Sequence, residues 1–310
     1  MKILVTGADG FVGGWLIRAL LGAGHSVGGT RRSDDVVSPV LLPAEAKEVA
    51  WRSLDLRSTG SVEAAVCGTW DAVVHLAAVS SGAEARSDPG LAWDVNAAGT
   101  ARLAEALLPS SPVLLLVSTG EVYGQGSGAP RSEADPVAPC SPYAASKAAS
   151  ELAALEAARR AGLAVVIARA FPHTGPGQDS RFVLPALARR LKTAHRIGAP
   201  AIQTGNLEPV RDLLDVRDVV AAYLALLTQG QAGAIYNVAS GVGYRLADLL
   251  DRMQRLIGSR VIAEYDATLA RRSDILHLVG DGSRLRAATG WSPRIPLDRT
   301  LQELLDAQTD

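Results

Sequence analysis

The sequence predicts a doubly wound α/β fold with a smaller second lobe, on three observations. Apolar runs of strand length alternate with helical patterns through the first two thirds of the 310 residues. These runs are continuously apolar, which marks parallel strands buried on both faces. A glycine-spaced turn of Gly7, Gly10 and Gly13 joins the first run to a helical stripe, as a sheet that binds phosphate at a helix N-terminus requires.

The first strand is read from "KILVTG". The helix after it carries the apolar stripe Leu16, Ile17, Leu20 and Leu21. Between them Gly7, Gly10, Phe11, Val12 and Gly13 form a candidate phosphate cradle, because glycine allows the tight turn and the close backbone approach. The second strand, "HSVGGT", runs into "RRSDD", placing Arg31 and Arg32 where an NAD site keeps an acidic residue for the ribose 2′-hydroxyl. Guanidinium groups suit a 2′-phosphate, so NADP(H) is the expected cofactor. Asp34 and Asp35 lie close enough to keep NAD, or a plain solvated loop, as alternatives.

Further on, Asp55 and Leu56 are candidates for the adenine end, and Leu76, Ala77 and Ala78 close "DAVVHLAA" beneath the dinucleotide. A helix around "WDVNAAGTARLAEALL", the strand "PVLLLVST", a helix from about Pro142 to Ala161 and the strand "LAVVIARAF" complete a core spanning 1–170. Then "PHTGPGQ" changes the texture to Gly and Pro. Residues 171–310 read mainly as a second lobe with short helices and scattered strands such as "AIYNVAS". A helix within about 212–230, "DVRDVVAAYLALL", returns to the core.

Composition narrows the function. With 48% hydrophobic and 20% charged residues the chain is a packed globular protein. A formal net charge of -1 offers no basic field for nucleic acid or an anionic membrane. Cys67 and Cys140 form no CxxC pattern, which argues against a disulfide framework or a thiolate metal site. The first strand begins at Lys2, leaving no room for a signal peptide, and no apolar segment approaches the roughly 18 residues of a membrane span. A cytoplasmic protein is expected.

"SPYAASK" places Tyr143 and Lys147 on one helix face, which alone implies no chemistry. Thr119 ends "PVLLLVST", at a strand carboxyl end where α/β sheets hold ligands. The three together make the set needed for carbonyl–hydroxyl redox chemistry with a nicotinamide. The threonine hydroxyl holds the substrate oxygen, the tyrosine passes a proton, and the lysine ammonium lowers the phenol pKa from about 10. His173, beside Gly and Pro in a loop, reads as a hydrogen-bonded structural group.

"GADGFVG", "HLAA", "DVNAAGT", "STGEVYG", "SPYAASK" and a following Arg169 stand in an order that resembles the extended short-chain dehydrogenase/reductase family over almost the whole chain. The resemblance implies a Rossmann-type core, a smaller α/β lobe for a nucleotide-diphosphate sugar, and Asn96 as a helper in the central helix. "RAFPHTGPGQDSRFV", "GNLEPVRDLLDVRDVV" and "GWSPRIPL" are similar to the branch that reduces GDP-4-keto-6-deoxy-D-mannose, kin of the GDP-mannose 4,6-dehydratases. That likeness implies NADPH-dependent reduction of a C4 ketone on a GDP-linked sugar, to GDP-D-rhamnose. The alternatives are a 4,6-dehydratase, a 4-epimerase and a non-catalytic NADP-binding sensor.

The resemblance also sets Arg211 and Arg271 against the diphosphate, Phe182 at the base, and Glu121 where a dehydratase keeps its catalytic base. Related reductases can keep a Glu there too. Arg211 could instead pair with Asp212 or Asp215, Arg271 could lie in an exposed turn, and Phe182 could be core. Pro172 departs from the family's common Asn, and Arg271–Arg272 from its Arg-Pro. Alanine-rich faces on the helix from Pro142 imply a homodimer through a four-helix bundle, with packing on the chain's own second lobe as the alternative.

Overall fold

The computed structural model describes residues 1–33, 38–126, 128–269 and 275–307. A seven-stranded sheet lies at its centre, built from β1 (Lys2–Thr6), β2 (Ser26–Arg31), β3 (Ala50–Ser53), β4 (Ala72–His75), β5 (Val113–Thr119), β6 (Val165–Ala170) and β7 (Ile235–Val238). All neighbours run parallel, in the order β7-β6-β5-β4-β1-β2-β3. The winding reverses between β1 and β4, and a ligand crevice forms outside the strand carboxyl ends at such a reversal.

The helices used below are α1 (Phe11–Gly22), α2 (Thr59–Val66), α3 (Gly99–Leu107), α4 (Pro142–Ala161), α5 (Val183–Ile197), α6 (Val216–Gln229), α7 (Leu246–Ile257) and α8 (Leu297–Asp306). Ile3, Val5, Val74 and Leu115 pack with α1 and α6 on one face, while Leu4, Val73, Leu114 and Leu116 pack with α2, α3 and α4 on the other. Two covered faces explain the unbroken apolar strands. Leu184, Leu187, Leu191, Leu249, Met253, Leu301 and Leu304 form a separate core where α5, α7 and α8 meet.

Local chemistry sets the bounds of α4. Ser141 caps it by accepting from the Ala144 N–H, Pro142 takes the first turn, and Gly162 ends it in the left-handed region at φ 75°.

Three elements differ from the sequence reading. β3 was not foreseen, because "AWRS" is only half-buried and has no apolar run. The strand of "AIYNVAS", expected in the second lobe, pairs with β6 as the seventh strand of the central sheet, delivered there by the crossover through α6. The helix expected around "WDVNAAGTARLAEALL" opens as a π-helical turn at Trp93–Ala98 before α3, and the short helix Pro89–Ala92 precedes it. Such turns mark places where a side chain is redirected, and here that side chain is Asn96.

Candidate active site

The turn after β1 requires glycine. Gly7 has φ +68°, and a Cβ on it would lie 2.8 Å from the Ala77 nitrogen. A Cβ on Gly13 would lie 2.3 Å from the Gly7 carbonyl oxygen and 2.7 Å from the Ala8 Cα. Gly10 is the N-cap of α1, and no side chain caps that helix. The helix therefore presents its first N–H groups, with the positive end of its dipole, to a pyrophosphate. Phe11 and Val12 are half-buried in its first turn, and the Phe11 ring reaches the loop at Gly175.

At the ends of β2 and β3, Arg31 lies over the Trp51 ring at 5.4 Å. Asp55 is gripped by a guanidinium fork from Arg57, at 3.0 and 2.8 Å, which with help from Arg32 holds its carboxyl down at about 2. The sequence reading did not single out Arg57. Leu56 is buried, and its carbonyl accepts from Arg102. Leu76, Ala77 and Ala78 are half-buried just beyond β4, where the Ala77 N–H donates to the Thr6 hydroxyl at 3.2 Å. Asp34 and Asp35 lie outside the described residues.

Thr119 ends β5, and its hydroxyl accepts from the Glu121 N–H at 3.2 Å. Tyr143, in the first turn of α4, hydrogen-bonds the Thr119 side chain, and Lys147 is buried one turn further along. Burial pushes the Tyr143 phenol well above its usual range; the nearby Glu121 charge adds to this and the Thr119 hydrogen bond opposes it. Burial draws the Lys147 ammonium down to about 8 against the attraction of Glu151. Burial and the Glu121 charge thus act in the same direction on the phenol, both favouring its neutral form.

A hydrogen-bonded chain joins the cradle to this pair. The Thr100 hydroxyl donates to the Asn96 carbonyl at 2.6 Å, so its oxygen is left to accept from His75 Nε2–H at 3.2 Å. His75 Nδ1 then accepts from the Thr6 hydroxyl at 2.7 Å. Burial, with the Lys147 charge, holds the imidazole neutral and draws its pKa down to about 3. The Asn96 amide binds both Val79 backbone groups and donates to the Ser146 hydroxyl, which donates to the Tyr143 carbonyl. Of these the sequence reading named Asn96, through resemblance. It missed His75, Thr100 and Ser146, whose available signal was a polar side chain in or beside an otherwise apolar run.

In the second lobe Arg211 lies on the short strand Val210–Asp212, and its Nη1 donates to the Val210 and Ile275 carbonyls at 3.0 and 2.6 Å. Asp212 accepts from Ser240, Gly241 and Gly280, and Asp215 is bound by Arg217 and Thr300. Glu121 stands on the 3₁₀ turn Gly120–Tyr123 beside the Thr119–Tyr143 pair. Phe182 is half-buried at the N-cap of α5 and is not among that helix's buried residues. Arg271 lies outside the described residues. His173 Nδ1 meets the Phe171 carbonyl at 3.0 Å, and the Pro172 carbonyl accepts from the Leu214 N–H.

Residues 3–239 match the NAD dependent epimerase/dehydratase family. The chain belongs to that family. It is 34% identical to the GDP-6-deoxy-D-mannose reductase of Pseudomonas aeruginosa, over 98% of this chain and 96% of that protein. The structure of RMD from Pseudomonas aeruginosa complexed with NADPH superposes with a TM-score of 0.83 at 33% identity, covering 99% and 98% of the two chains. The UDP-glucose 4-epimerase of Thermus thermophilus complexed with NAD superposes with a TM-score of 0.86 at 29% identity, covering 99% and 98%. The chain is thus an extended short-chain dehydrogenase/reductase, an enzyme that works with a nicotinamide cofactor. Among the described residues no helix is long and apolar enough to cross a membrane.

Proposed function

We propose that this protein is an NADPH-dependent reductase of the C4 ketone of a nucleotide-linked 4-keto-6-deoxyhexose, taking GDP-4-keto-6-deoxy-D-mannose to GDP-D-rhamnose. The observation that carries this reading is the end-to-end likeness to a GDP-6-deoxy-D-mannose reductase and to a structure complexed with NADPH.

In this reading Tyr143, a neutral phenol, gives its proton to the ketone oxygen as that oxygen gains negative charge. Thr119 holds and polarises that oxygen, and the Lys147 ammonium holds the nicotinamide ribose and steadies the phenol as it yields its proton. A bound nicotinamide supplies the hydride. The glycine cradle fits a pyrophosphate, since a Cβ at Gly7 or Gly13 would fill it. In this reading Arg31 and Arg32 take a 2′-phosphate, Asp55 faces the adenine, and Leu56, Leu76, Ala77 and Ala78 line the dinucleotide. Arg211, Arg271 and Phe182 hold the nucleoside diphosphate of the sugar. Residues 1–170 with about 212–230 form the cofactor core, and 171–310 mainly the sugar-binding lobe. Neither Cys67 nor Cys140 is in a disulfide, in keeping with a cytoplasmic setting.

One observation favours a second reading. Glu121 lies close enough to Tyr143 to act on its charge, as the base of a 4,6-dehydratase would. Cofactor consumption separates the two. NADPH oxidation is measured against GDP-, UDP- and dTDP-linked 4-keto-6-deoxyhexoses, and stoichiometric oxidation with the GDP sugar is expected. Conversion of a nucleotide sugar without net NADPH loss would establish the dehydratase or an epimerase instead. Tyr143→Phe is expected to lower turnover by roughly 10²- to 10⁴-fold while NADPH binding is retained. Near wild-type turnover would remove Tyr143 from the mechanism.

A further inference from the structure

We propose that Glu151 is a positioning residue for the catalytic ammonium: a buried carboxylate one helical turn beyond Lys147 that keeps it charged, and that Arg169 and Ser118 fix in place. The proposal rests on the reading of Lys147 given above. Tyr143, Lys147 and Glu151 follow one another at four-residue steps along α4, so they share one face.

Glu151 is only 4% exposed. Its Oε1 accepts from the Ser118 hydroxyl at 2.5 Å and from Arg169 Nε at 3.0 Å, and its Oε2 accepts from Arg169 Nη2 at 2.7 Å. Ser118 and Arg169 are register partners across β5 and β6, and Ser118 precedes Thr119. The other edge of the guanidinium donates to the Tyr123 hydroxyl at 2.9 Å, which donates to Asn237 Oδ1 on β7 at 2.7 Å. The carboxylate is therefore tied to three adjacent strands as well as to its own helix.

Such an arrangement serves more than packing. The Arg169 guanidinium bonds both carboxylate oxygens, which compensates the charge of this buried Glu151. The ionised group then acts on Lys147, where burial and the Glu151 charge pull in opposite directions. The charged and titratable groups on the elements packed against α4 are Glu84 and Arg86 on Gly82–Ser87, Asp94 on the π turn, Arg102 and Glu105 on α3, Glu121 and Tyr123 on the 3₁₀ turn, and Arg169 on β6. Among the described residues it is the Glu151 charge that offsets burial at Lys147, and His75 on β4 stays neutral beside it.

The test is an NMR titration of isotopically labelled lysine, with the Lys147 signal assigned through Lys147→Arg, alongside the pH dependence of NADPH oxidation. In Glu151→Gln the Lys147 titration is expected to fall by about one pH unit or more, with the alkaline limb of the rate moving the same way. Glu151→Asp, which keeps the charge, is expected to restore most of the shift. Because Glu151→Gln strands the buried Arg169 and can unfold the protein, Glu151→Gln/Arg169→Met, which removes both charges, serves as the second variant with the same downward shift. A Lys147 titration unchanged in a folded variant overturns the proposal. If the titration moves and the rate profile does not, the effect of Glu151 on Lys147 stands and the catalytic role given to Lys147 falls.

Discussion

His75 is the residue whose charge state has the largest consequence outside the reaction. Both ring nitrogens are engaged, Nε2–H toward Thr100 and Nδ1 toward Thr6, and an imidazolium could not keep the second of these bonds. Its folded pKa of about 3 lies below the ordinary 6.5, so the unfolded chain takes up a proton first as the pH falls. This stabilisation is complete above about pH 6.5 and is lost progressively as the pH drops toward 3. Carboxylates add their own acid dependence, so the comparison is with His75→Gln, which cannot titrate. Between pH 7 and pH 5 the wild type is expected to lose about 2 kcal/mol more than this variant, read from urea midpoints at the two values. Equal losses would mean that the ring is protonated in the fold. Tyr143 illustrates the same rule, since burial, joined by the Glu121 charge, favours its neutral form.

At the scale of elements, the turn from β1 into α1 has no room for a side chain at Gly13. The atoms that would meet a Cβ on Gly13 are backbone, the Gly7 carbonyl and the Ala8 Cα, and cannot rotate away as a side chain could. Gly13→Ala is therefore expected to destabilise the fold by about 1 to 3 kcal/mol and to weaken NADPH binding by about tenfold or more, measured by thermal unfolding and by fluorescence titration. Wild-type binding would mean that the turn re-forms without cost. This turn was legible because its constraint is local, and α4 was legible for the same reason, with Ser141, Pro142 and Gly162 marking its ends. The sheet partner of β7 was not, because "AIYNVAS" encodes a strand while its pairing with β6 depends on the α6 crossover. The π turn was hidden too; within it Asn96 is buried with its amide bonded to the Val79 backbone, a partner distant in sequence. In the site, position along the chain pointed to Thr119, Tyr143 and Lys147, but the shifts of Tyr143 and Lys147 depend first on burial, and the Arg57 grip on Asp55 on side-chain geometry.

Over the whole molecule, long-range hydrogen bonds fasten the segment at residues 291–295 to a helix of the central sheet. Asp218 on α6 accepts from the Arg294 and Ile295 N–H groups, and its carbonyl accepts from the Trp291 indole, which fastens the segment before α8 to a helix lying on the central sheet. The opposite side of the sheet is less self-contained. There α4 turns Ala144, Ala154 and Ala157 inward, while Leu152 is 67% exposed and Trp93, on the π turn packed against α4, is 47% exposed. An exposed leucine on α4 and an exposed tryptophan on the π turn leave apolar surface that a second copy of the chain can cover. The homodimer proposed from the alanine-rich faces of α4 would use that surface. Light scattering at micromolar concentration is expected to give twice the chain mass, and Leu152→Glu, which sets a charge on that face, is expected to give single chains. A single-chain mass for the wild type would leave α3 and α4 as an outer layer of a monomer. A dimer that survives Leu152→Glu would move the interface to another face.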